Sequence, residues 1–350
     1  MKILHLLQSN RFSGAENVAC QIINMMRNDE DLEMVYSSCD GQIREALLES
    51  NIAFAPMSDI TLREVKRVIN EQKPDIIHAH DRTASILAAL ASNKIPIVVH
   101  MHVNNNKGFT CFIKNSIWTI LSFKYKHIFW VADSAFNNFQ FRRFVSKKSQ
   151  ILYNVIDEKS LWDRTAEDKN KYHYDIVYIG RLSYQKDPER LMHIFQKVCE
   201  KKPDVQIAVI GEGDYSDYVT EFILNNHLDQ CINYLGYRNN PLKILHDSKV
   251  LVMTSRFEGT PIIAIEAQLL GVPVISTPVD GMKKLIINGQ NGFLSNDDDE
   301  LIYHIMDIIT NTKVQQLLAT RSKEMSLQYS DVKEFRRNIC LAYSLCNELR

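Results

Sequence analysis

Two carboxylates stand eight residues apart in the second half of the sequence. Glu258 follows a short apolar run typical of a strand, and Glu266 falls in an apolar helical pattern that opens near Pro261. An unpaired buried carboxylate is costly, so Glu266 requires either a salt-bridge partner or a ligand. The two residues alone leave both interpretations open.

Two cations follow another apolar run, in the segment Gly180-Arg-Leu-Ser-Tyr-Gln-Lys186. Arg181 and Lys186, five residues apart at the exit of a predicted strand, could bind a diphosphate through charge-assisted hydrogen bonds. Solvated surface charge is the alternative. Near the N-terminus, the first predicted strand runs into a polar loop from Ser9, in which Gly14 opens a helical pattern. This position favours an anion or the close approach of a ligand, although a plain turn would look the same.

Two familiar site patterns are incomplete in this sequence. The loop at Gly14 lacks the GxGxxG fingerprint of dinucleotide binding, and Gly211-Glu-Gly213 is followed by Ser216 where a third glycine would stand. Both departures count against a nicotinamide-dependent dehydrogenase. The acidic run Asp297–Glu300 resembles a metal motif, but it precedes a helical pattern, so we interpret it as a solvated helix cap and predict no metal and no other cofactor.

The composition is that of a soluble enzyme, with 350 residues, 45% hydrophobic and 24% charged, and 41 basic against 42 acidic side chains. This balance excludes a generally basic protein that coats nucleic acid, and no nucleic-acid partner is expected. The seven scattered cysteines form no CxxC pair, which indicates reduced thiols in the cytoplasm. The N-terminal apolar run is too short for a signal peptide, and no stretch approaches the roughly 20 apolar residues that span a bilayer.

Short apolar runs alternate with helical segments along the chain, which predicts repeated βαβ units. The pattern weakens between residues 157 and 171, where polar residues dominate, so we place an interdomain linker there. We therefore expect an α/β protein of two doubly wound domains, residues 1–165 and 166–328, followed by a C-terminal helical segment, 329–350. Ligands of such domains bind beyond the carboxyl ends of the strands.

Several motifs, taken together in their order and spacing, carry a family resemblance. The chain resembles the retaining GT-B glycosyltransferases of glycosyltransferase family 4 over nearly its whole length. The residues that carry it are Ser13-Gly-Ala-Glu16, Asp75-Ile-Ile-His-Ala-His-Asp81, His100-Met-His102, Gly180-Arg181, Lys186, the pair Glu258 and Glu266, Gly271-Val-Pro-Val274 and Asn288-Gly-Gln-Asn-Gly-Phe-Leu294. The resemblance implies a GT-B fold, in which two Rossmann-like domains face each other across a cleft and the last helix crosses back to the first domain.

The resemblance also implies roles for the charged residues of the second domain. Arg181 and Lys186 would neutralise the diphosphate of a nucleotide-sugar donor and stabilise the leaving group. Glu266 would accept hydrogen bonds from the ribose hydroxyls, and Glu258 would contact hydroxyls of the transferred sugar.

Four further positions receive implied roles. The backbone N–H groups of Gly259, Thr260 and Ile262 would face the sugar and phosphates at a helix start. Gly14 would close the opposite side of the cleft, and His102 would hydrogen-bond a sugar hydroxyl at the reaction centre.

Some residues near these motifs remain ambiguous. His80 and Asp81, at a strand exit, could touch the acceptor or bond neighbouring loops, whereas His78 is expected inside the strand in a structural role. Lys284 occupies a position where the family commonly has a glutamate, which weakens inferences about hydrogen bonding near the donor.

The first domain contains a basic segment that the near-neutral total conceals. Residues 100–150 hold eight Lys or Arg against one Asp, so 8 − 1 gives a net charge of +7. Aromatic and aliphatic residues are interleaved with these cations from Phe109 to Phe123, Trp118 among them. This segment, residues 107–148, could lie on an anionic membrane, or its apolar residues could face the core while its lysines face water.

The sequence thus predicts a hexosyltransferase of retaining mechanism that moves a sugar from a UDP- or GDP-linked donor to a hydroxyl of a glycan or polyprenyl-diphosphate-linked acceptor. The expected setting is bacterial O-antigen, capsule or exopolysaccharide synthesis, in the cytoplasm or at the inner face of the membrane. The alternative is a GT-B-fold nucleotide-sugar epimerase or hydrolase.

Overall fold

The computed structural model describes residues 1–11, 14–92, 94–102, 109–259 and 261–347. It divides into two compact units: residues 1–154 together with the C-terminal segment from Val332, and residues 155–331. Each unit contains one six-stranded sheet, and the strand pairings in both sheets are parallel. The prediction of two doubly wound α/β domains is confirmed.

The sheet of the first unit has the strand order β2-β1-β3-β4-β5-β6. Its strands are β1 (Lys2–Leu6), β2 (Glu33–Ser37), β3 (Ile76–Ala79), β4 (Ile97–Met101), β5 (Tyr125–Trp130) and β6 (Ser149–Ile151). The helices that connect them are α1 (Gly14–Met25), α2 (Ile43–Glu49), α3 (Leu62–Gln72), α4 (Arg82–Ala91), α5 (Phe109–Leu121), α6 (Asp133–Asn137) and α7 (Arg142–Val145).

The sheet of the second unit has the order β12-β11-β10-β7-β8-β9. Its strands are β7 (Ile176–Ile179), β8 (Ile207–Ile210), β9 (Ile232–Tyr234), β10 (Val250–Met253), β11 (Val274–Ser276) and β12 (Gly292–Leu294). Its helices are α8 (Glu158–Glu167), α9 (Pro188–Lys201), α10 (Ser216–Asn225), α11 (Leu242–His246), α12 (Ile262–Leu269), α13 (Asp280–Leu285), α14 (Asp298–Thr310) and α15 (Thr312–Ser326).

The central strands are buried along their whole length, as their continuous apolar runs require. Every residue of β3, β4, β8 and β10 is buried, because helices cover both faces of a parallel sheet. The two strands that sequence reasoning did not separate, β6 and β12, have three residues each. Their sequences, Ser149-Gln-Ile151 and Gly292-Phe-Leu294, contain too few apolar residues in a row to indicate a strand.

Aspartates cap the starts of several helices at the ends of loops. Asp81 accepts a 2.6 Å hydrogen bond from the Ala84 N–H at the start of α4, and Asp187 precedes Pro188 at the start of α9. Asp297 accepts hydrogen bonds from the N–H groups of Asp299 and Glu300. The acidic run at 297–300 is therefore a helix cap, as the sequence predicted.

The predicted linker at 157–171 is wrong in one respect, because most of it is helix α8, which packs within the second unit. Leu161 is buried, the Trp162 ring meets the His246 ring edge-on at 5.5 Å, and the Asn240 side chain donates to the Arg164 carbonyl at 2.8 Å. The first unit accordingly ends at Asn154 rather than at residue 165. One buried leucine and one tryptophan on a polar helix give too weak a periodicity to reveal this packing.

The last helix, α16 (Val332–Asn347), belongs to the first unit. Its apolar face buries Phe335, Ile339 and Tyr343. Arg336 forms an ion pair with Asp29 at 2.5 Å, and the Tyr343 hydroxyl lies 2.8 Å from Nδ1 of His78 in β3. The first unit is therefore completed by residues from the far end of the chain.

Removing the Phe335 side chain tests this completion. Phe335→Ala should lower the free energy of unfolding by about 3–5 kcal/mol, because it leaves a cavity between α16 and its neighbours. Urea denaturation followed by tryptophan fluorescence measures the change. Arg337→Ala, on the exposed face of the same helix, should change it by less than about 0.5 kcal/mol. Equal effects of the two variants would contradict the docking of α16.

Candidate active site

Two loops of the second unit meet because the strands before them are neighbours in the sheet. β7 and β10 pair in parallel, so the loops at 180–187 and 254–261 leave the same sheet edge. The Arg256 N–H donates to the Gln185 carbonyl at 2.8 Å, and the Thr254 hydroxyl lies 3.1 Å from the carbonyls of Lys186 and Asp187. The two loops thus form one connected surface.

The centre of this surface is an ion pair between Lys186 and Glu258. The Ser255 hydroxyl donates to the same carboxylate oxygen at 2.7 Å, and Glu258 is 6% exposed. The sequence predicted both charged residues as donor-binding groups, and the structure brings them together. With its partner at hydrogen-bonding distance, each charge is held in place before any ligand arrives.

A second ion pair, which sequence reasoning missed, supports the first. Arg256 donates to both carboxylate oxygens of Asp187 at 2.9 and 2.8 Å, and its guanidinium lies 4.0 Å from the centre of the Tyr184 ring. Asp187 adopts a left-handed conformation, with φ of 54°. A non-glycine residue in this region is costly, so the bidentate arginine helps to hold the backbone that follows Lys186.

Glu266 lies on α12, the helix that follows the Glu258 loop, and is 7% exposed. Burial raises the pKa of its carboxyl above the usual range, and the positive charge of Arg164 opposes that shift only in part. A carboxylate in this state is stabilised by any ligand that donates hydrogen bonds to it. Gln268 and Leu269, which share the helix, are buried as well.

The other residues that the sequence singled out in the second unit lie at several places in that unit. Arg181 is exposed just beyond β7, Gly259 is half-buried, and Ile262 begins α12. Thr260 lies outside the described residues. Lys284 is exposed on α13, and Asp298 pairs with Arg190 at 2.7 Å.

Two glycines that the sequence marked only as a loop allow close packing of the backbone beside the site. A Cβ on Gly211, whose φ is 132°, would lie 2.0 Å from the Gly180 carbonyl oxygen. A Cβ on Gly213 would lie 2.2 Å from the Leu182 carbonyl oxygen. The segment that carries Arg181 is therefore pressed directly against the loop that follows β8.

In the first unit, the predicted His102 belongs to a cluster of histidines on three adjacent strands. Nε2 of His102 lies 3.2 Å from Nδ1 of His80, and Nε2 of His80 lies 2.9 Å from Nδ1 of His5. His78 and His100 stack beside them, with ring centroids 5.6 Å apart. His78 lies inside β3, as predicted, and bonds Tyr343. The sequence did not reveal that five imidazoles share one place.

Burial keeps these imidazoles neutral. It lowers the pKa of His5 and of His102 to about 3, and burial together with the neighbouring rings lowers those of His78, His80 and His100 well below the usual range. Neutral imidazoles are good transition-metal ligands. Two triads have ring nitrogens within 4.8 Å of one another and could hold a metal: His5, His78 and His80, and His80, His100 and His102.

Gly14 and Asp81, which the sequence also singled out in the first unit, both lie at helix starts. Gly14 is the exposed first residue of α1, and a Cβ there would meet no heavy atom within 4 Å. Asp81 caps α4 and also accepts from the Gln8 N–H at 3.2 Å, so it joins the ends of β1 and β3. Ser13 lies outside the described residues.

The glycine contacts give a test of the loop packing. Gly211→Ala should lower the free energy of unfolding by more than about 2 kcal/mol, because the methyl group overlaps the Gly180 carbonyl and φ is unfavourable. Thermal and urea denaturation measure this change. Gly14→Ala, where the space is open, should stay within about 0.5 kcal/mol of the parent. A stable Gly211→Ala variant would show that the two loops do not pack as described.

The chain matches two family models that together cover most of its length. Residues 12–160 match Glycosyltransferase Family 4, and residues 162–325 match Glycosyl transferases group 1. These matches agree with the resemblance carried by the motifs.

Two curated relatives share 28% and 23% sequence identity with this chain. An uncharacterized glycosyltransferase of Methanocaldococcus jannaschii is 28% identical over 240 residues, which are 61% of this chain and only 58% of that protein. The Escherichia coli UDP-Gal:alpha-D-GlcNAc-diphosphoundecaprenol alpha-1,3-galactosyltransferase is 23% identical, with 91% of this chain and 90% of that protein covered.

A solved structure extends the likeness to the fold. The structure of Anabaena HepE in complex with UDP-glucose superposes with a TM-score of 0.83 at 21% identity, covering 98% of this chain and 99% of that one. The two six-stranded parallel units are those of a GT-B fold. The chain is an enzyme of the glycosyltransferase class and belongs to the family 4, group 1 glycosyltransferases.

Proposed function

We propose that this enzyme is a retaining glycosyltransferase that transfers a sugar from a nucleotide-diphosphate donor to a hydroxyl of a glycan or polyprenyl-diphosphate-linked acceptor in bacterial surface polysaccharide synthesis. The observation that carries the proposal is the convergence of the 180–187 and 254–261 loops on the Lys186–Glu258 pair, with buried Glu266 on the next helix. Cation, sugar-binding carboxylate and ribose-binding carboxylate then come from one sheet edge.

The donor contacts follow from the chemistry of these groups. Arg181 and Lys186 bind the diphosphate, Glu258 binds hydroxyls of the transferred sugar, and Glu266 accepts from the ribose hydroxyls. The proposal keeps the roles that the sequence suggested for the backbone N–H groups of Gly259, Thr260 and Ile262 toward the sugar and phosphates. It also keeps those of Gly14 and His102, in the first unit, toward the ligand. The proposal assigns neutralisation of the diphosphate to side chains and includes no metal.

Transfer with retention proceeds at the front face of the sugar. The bond between the anomeric carbon and the leaving diphosphate oxygen breaks while the acceptor hydroxyl oxygen bonds to the same face of that carbon. The acceptor proton passes to the departing phosphate oxygen. Arg181 and Lys186 stabilise the negative charge that develops on that group, and no protein nucleophile is required.

The relatives suggest which substrates to test first. The Anabaena structure contains UDP-glucose, and the Escherichia coli enzyme is named for UDP-Gal and a diphosphoundecaprenol acceptor. UDP-sugars and undecaprenyl-diphosphate-linked glycans are therefore the first candidates, with GDP-sugars as the comparison.

Glu266→Gln should separate binding from stability. Because burial raises the pKa of Glu266 above its value in the unfolded chain, the carboxylate destabilises the unliganded fold as pH rises past that unfolded value. At pH 7 the variant should therefore melt at a higher temperature than the parent, yet lose the stabilisation that a matching UDP- or GDP-sugar confers. Thermal shift against a panel of nucleotide sugars measures both effects.

Lys186→Ala and Asp298→Ala provide the contrast. Lys186→Ala should lower transfer by about 100-fold or more and also lower the melting temperature, since it leaves Glu258 buried without its cation. Asp298→Ala, at the α14 cap, should keep the ligand-induced shift. Full transfer by both Glu266→Gln and Lys186→Ala would refute the site, and release of free sugar without acceptor would indicate a hydrolase.

The basic segment of the first unit supports association with an anionic membrane. Helix α5 and the turn after it expose Phe112, Ile113, Ile117, Ile120 and Phe123, the last two by 70% and 72%. Trp118, which the sequence grouped with them, is fully buried and donates to the Ser85 hydroxyl at 2.9 Å. Lys107 lies outside the described residues. No helix in the described part of the chain is long and apolar enough to cross a bilayer.

Vesicle co-sedimentation tests this surface. The protein should bind vesicles containing anionic lipid and be released by salt, since each nearby Lys or Arg contributes on the order of 1 kcal/mol. Ile120→Ser with Phe123→Ser should weaken binding by about 10-fold or more, whereas Leu224→Ser, at an exposed leucine of the second unit, should not. Binding that ignores both salt and the double substitution would contradict the proposal.

A further inference from the structure

The three histidines His5, His80 and His102 form a line of hydrogen bonds across the edge of the first sheet. The two nitrogen-to-nitrogen distances are 2.9 Å for His5–His80 and 3.2 Å for His80–His102. Neighbouring rings in the line are inclined by only 27° and 16°, with centroids 5.1 and 5.4 Å apart. Among the described residues, both nitrogens of His80 and Nε2 of His102 are engaged within the line, which leaves Nδ1 of His102 at one end and Nε2 of His5 at the other.

The protons of this line can be ordered in only two ways. Each N···N contact in the line needs one N–H and one lone pair, and the complete burial of His5 and His80 disfavours a charge on these rings, so the rings are neutral. A neutral imidazole has one N–H donor and one lone pair. The rings must therefore all donate toward His102 or all donate toward His5.

The far end of the line selects between these orders. Nε2 of His5 is buried and has no hydrogen-bond partner among the described residues. If the rings donated toward His5, this atom would be a buried N–H without an acceptor, which is rarer in proteins than an unsatisfied acceptor. The opposite order leaves only a lone pair there, with the proton of each ring on Nδ1.

We propose that His80 is a positioning residue that holds His102 in the tautomer protonated at Nδ1, so that His102 meets its ligand as a hydrogen-bond donor. The ligand atom is then an oxygen with a free lone pair, such as a sugar hydroxyl or a phosphate oxygen. For the identity of that ligand, this inference rests on the proposed function. In this tautomer Nδ1 of His102 carries the proton and has no free lone pair, so it cannot act as a base in the resting enzyme.

This arrangement competes with a metal at the same place. A metal bound by His80, His100 and His102 would need a lone pair from each ring, but both nitrogens of His80 already face other imidazoles. A bound metal would break at least one bond of the line, so metal binding and tautomer control are distinguishable outcomes.

The tautomer can be read directly by NMR of the full chain labelled with 15N-histidine, without any donor. The His102 signals are assigned by their loss in His102→Asn, and the wild-type protein should show the proton on Nδ1. A proton on Nε2, or histidine signals shifted by a metal in the protein as purified, overturns the proposal. This measurement needs no variant at His80 and no activity.

Two substitutions at His80 separate the two ends of the ring. The amide of His80→Asn reaches the Nδ1 position and can still donate to His102, whereas that of His80→Gln reaches the Nε2 position and faces His5. His80→Asn should keep the His102 tautomer and most of kcat. His80→Gln should mix the tautomers and lower kcat by about 10-fold or more with little change in donor KM. Tyr343→Phe, which removes a bond to His78 in the same cluster, is the matched control and should leave the tautomer unchanged.

An unchanged tautomer in His80→Gln overturns the proposal. If the tautomers behave as expected but no nucleotide sugar supports transfer, the proposed function fails while the positioning role of His80 stands.

Discussion

All the chemistry of this protein depends on one constraint, the parallel arrangement of its strands. Parallel strands end at the same edge of a sheet, so the loops that follow them are brought together whatever their separation in sequence. β7 and β10 are neighbours in the sheet although more than seventy residues separate their starts, and the loops after them are joined by hydrogen bonds and by two ion pairs, Lys186–Glu258 and Arg256–Asp187. The same rule places His80 and His102 side by side after β3 and β4.

The second constraint is the burial of charged side chains. Lys186 and Glu258 neutralise each other, and Arg256 and Asp187 do the same beside them. Paired charges in a partly buried surface are tolerated because each satisfies the hydrogen bonds of the other. Glu266 differs, since burial raises the pKa of its carboxyl and the positive charge of Arg164 offsets that shift in part. A buried carboxylate with a raised pKa lowers the stability of the fold at neutral pH, and a hydrogen-bond donor beside it would recover part of that cost.

The histidine cluster shows how sheet register creates a group that no local motif reveals. His5 lies opposite His78 in β1 and β3, and His78 lies opposite Val98 in β4. Side chains alternate between the two faces of a sheet, so His80, His100 and His102 fall on the same face as His5 and His78. Two of these pairs, His78/His80 and His100/His102, are visible in the sequence as an HxH spacing. That spacing indicated a strand exit, but it could not show that neighbouring strands would align their rings.

The sequence by itself determined the βαβ pattern and the two doubly wound domains. It also placed Arg181, Lys186 and Glu258 after strands and Glu266 within the following helix. These features are local, because apolar periodicity, turn residues and helix caps each depend on residues that are close together in the sequence. Only the tertiary structure decided that Lys186 pairs with Glu258, that Arg256 holds Asp187, that α8 packs in the second unit and that Trp118 faces the core. Each of these depends on which strands become neighbours and in which register, because contacts between residues far apart in sequence are set by the packing of the whole sheet and not by any segment within it.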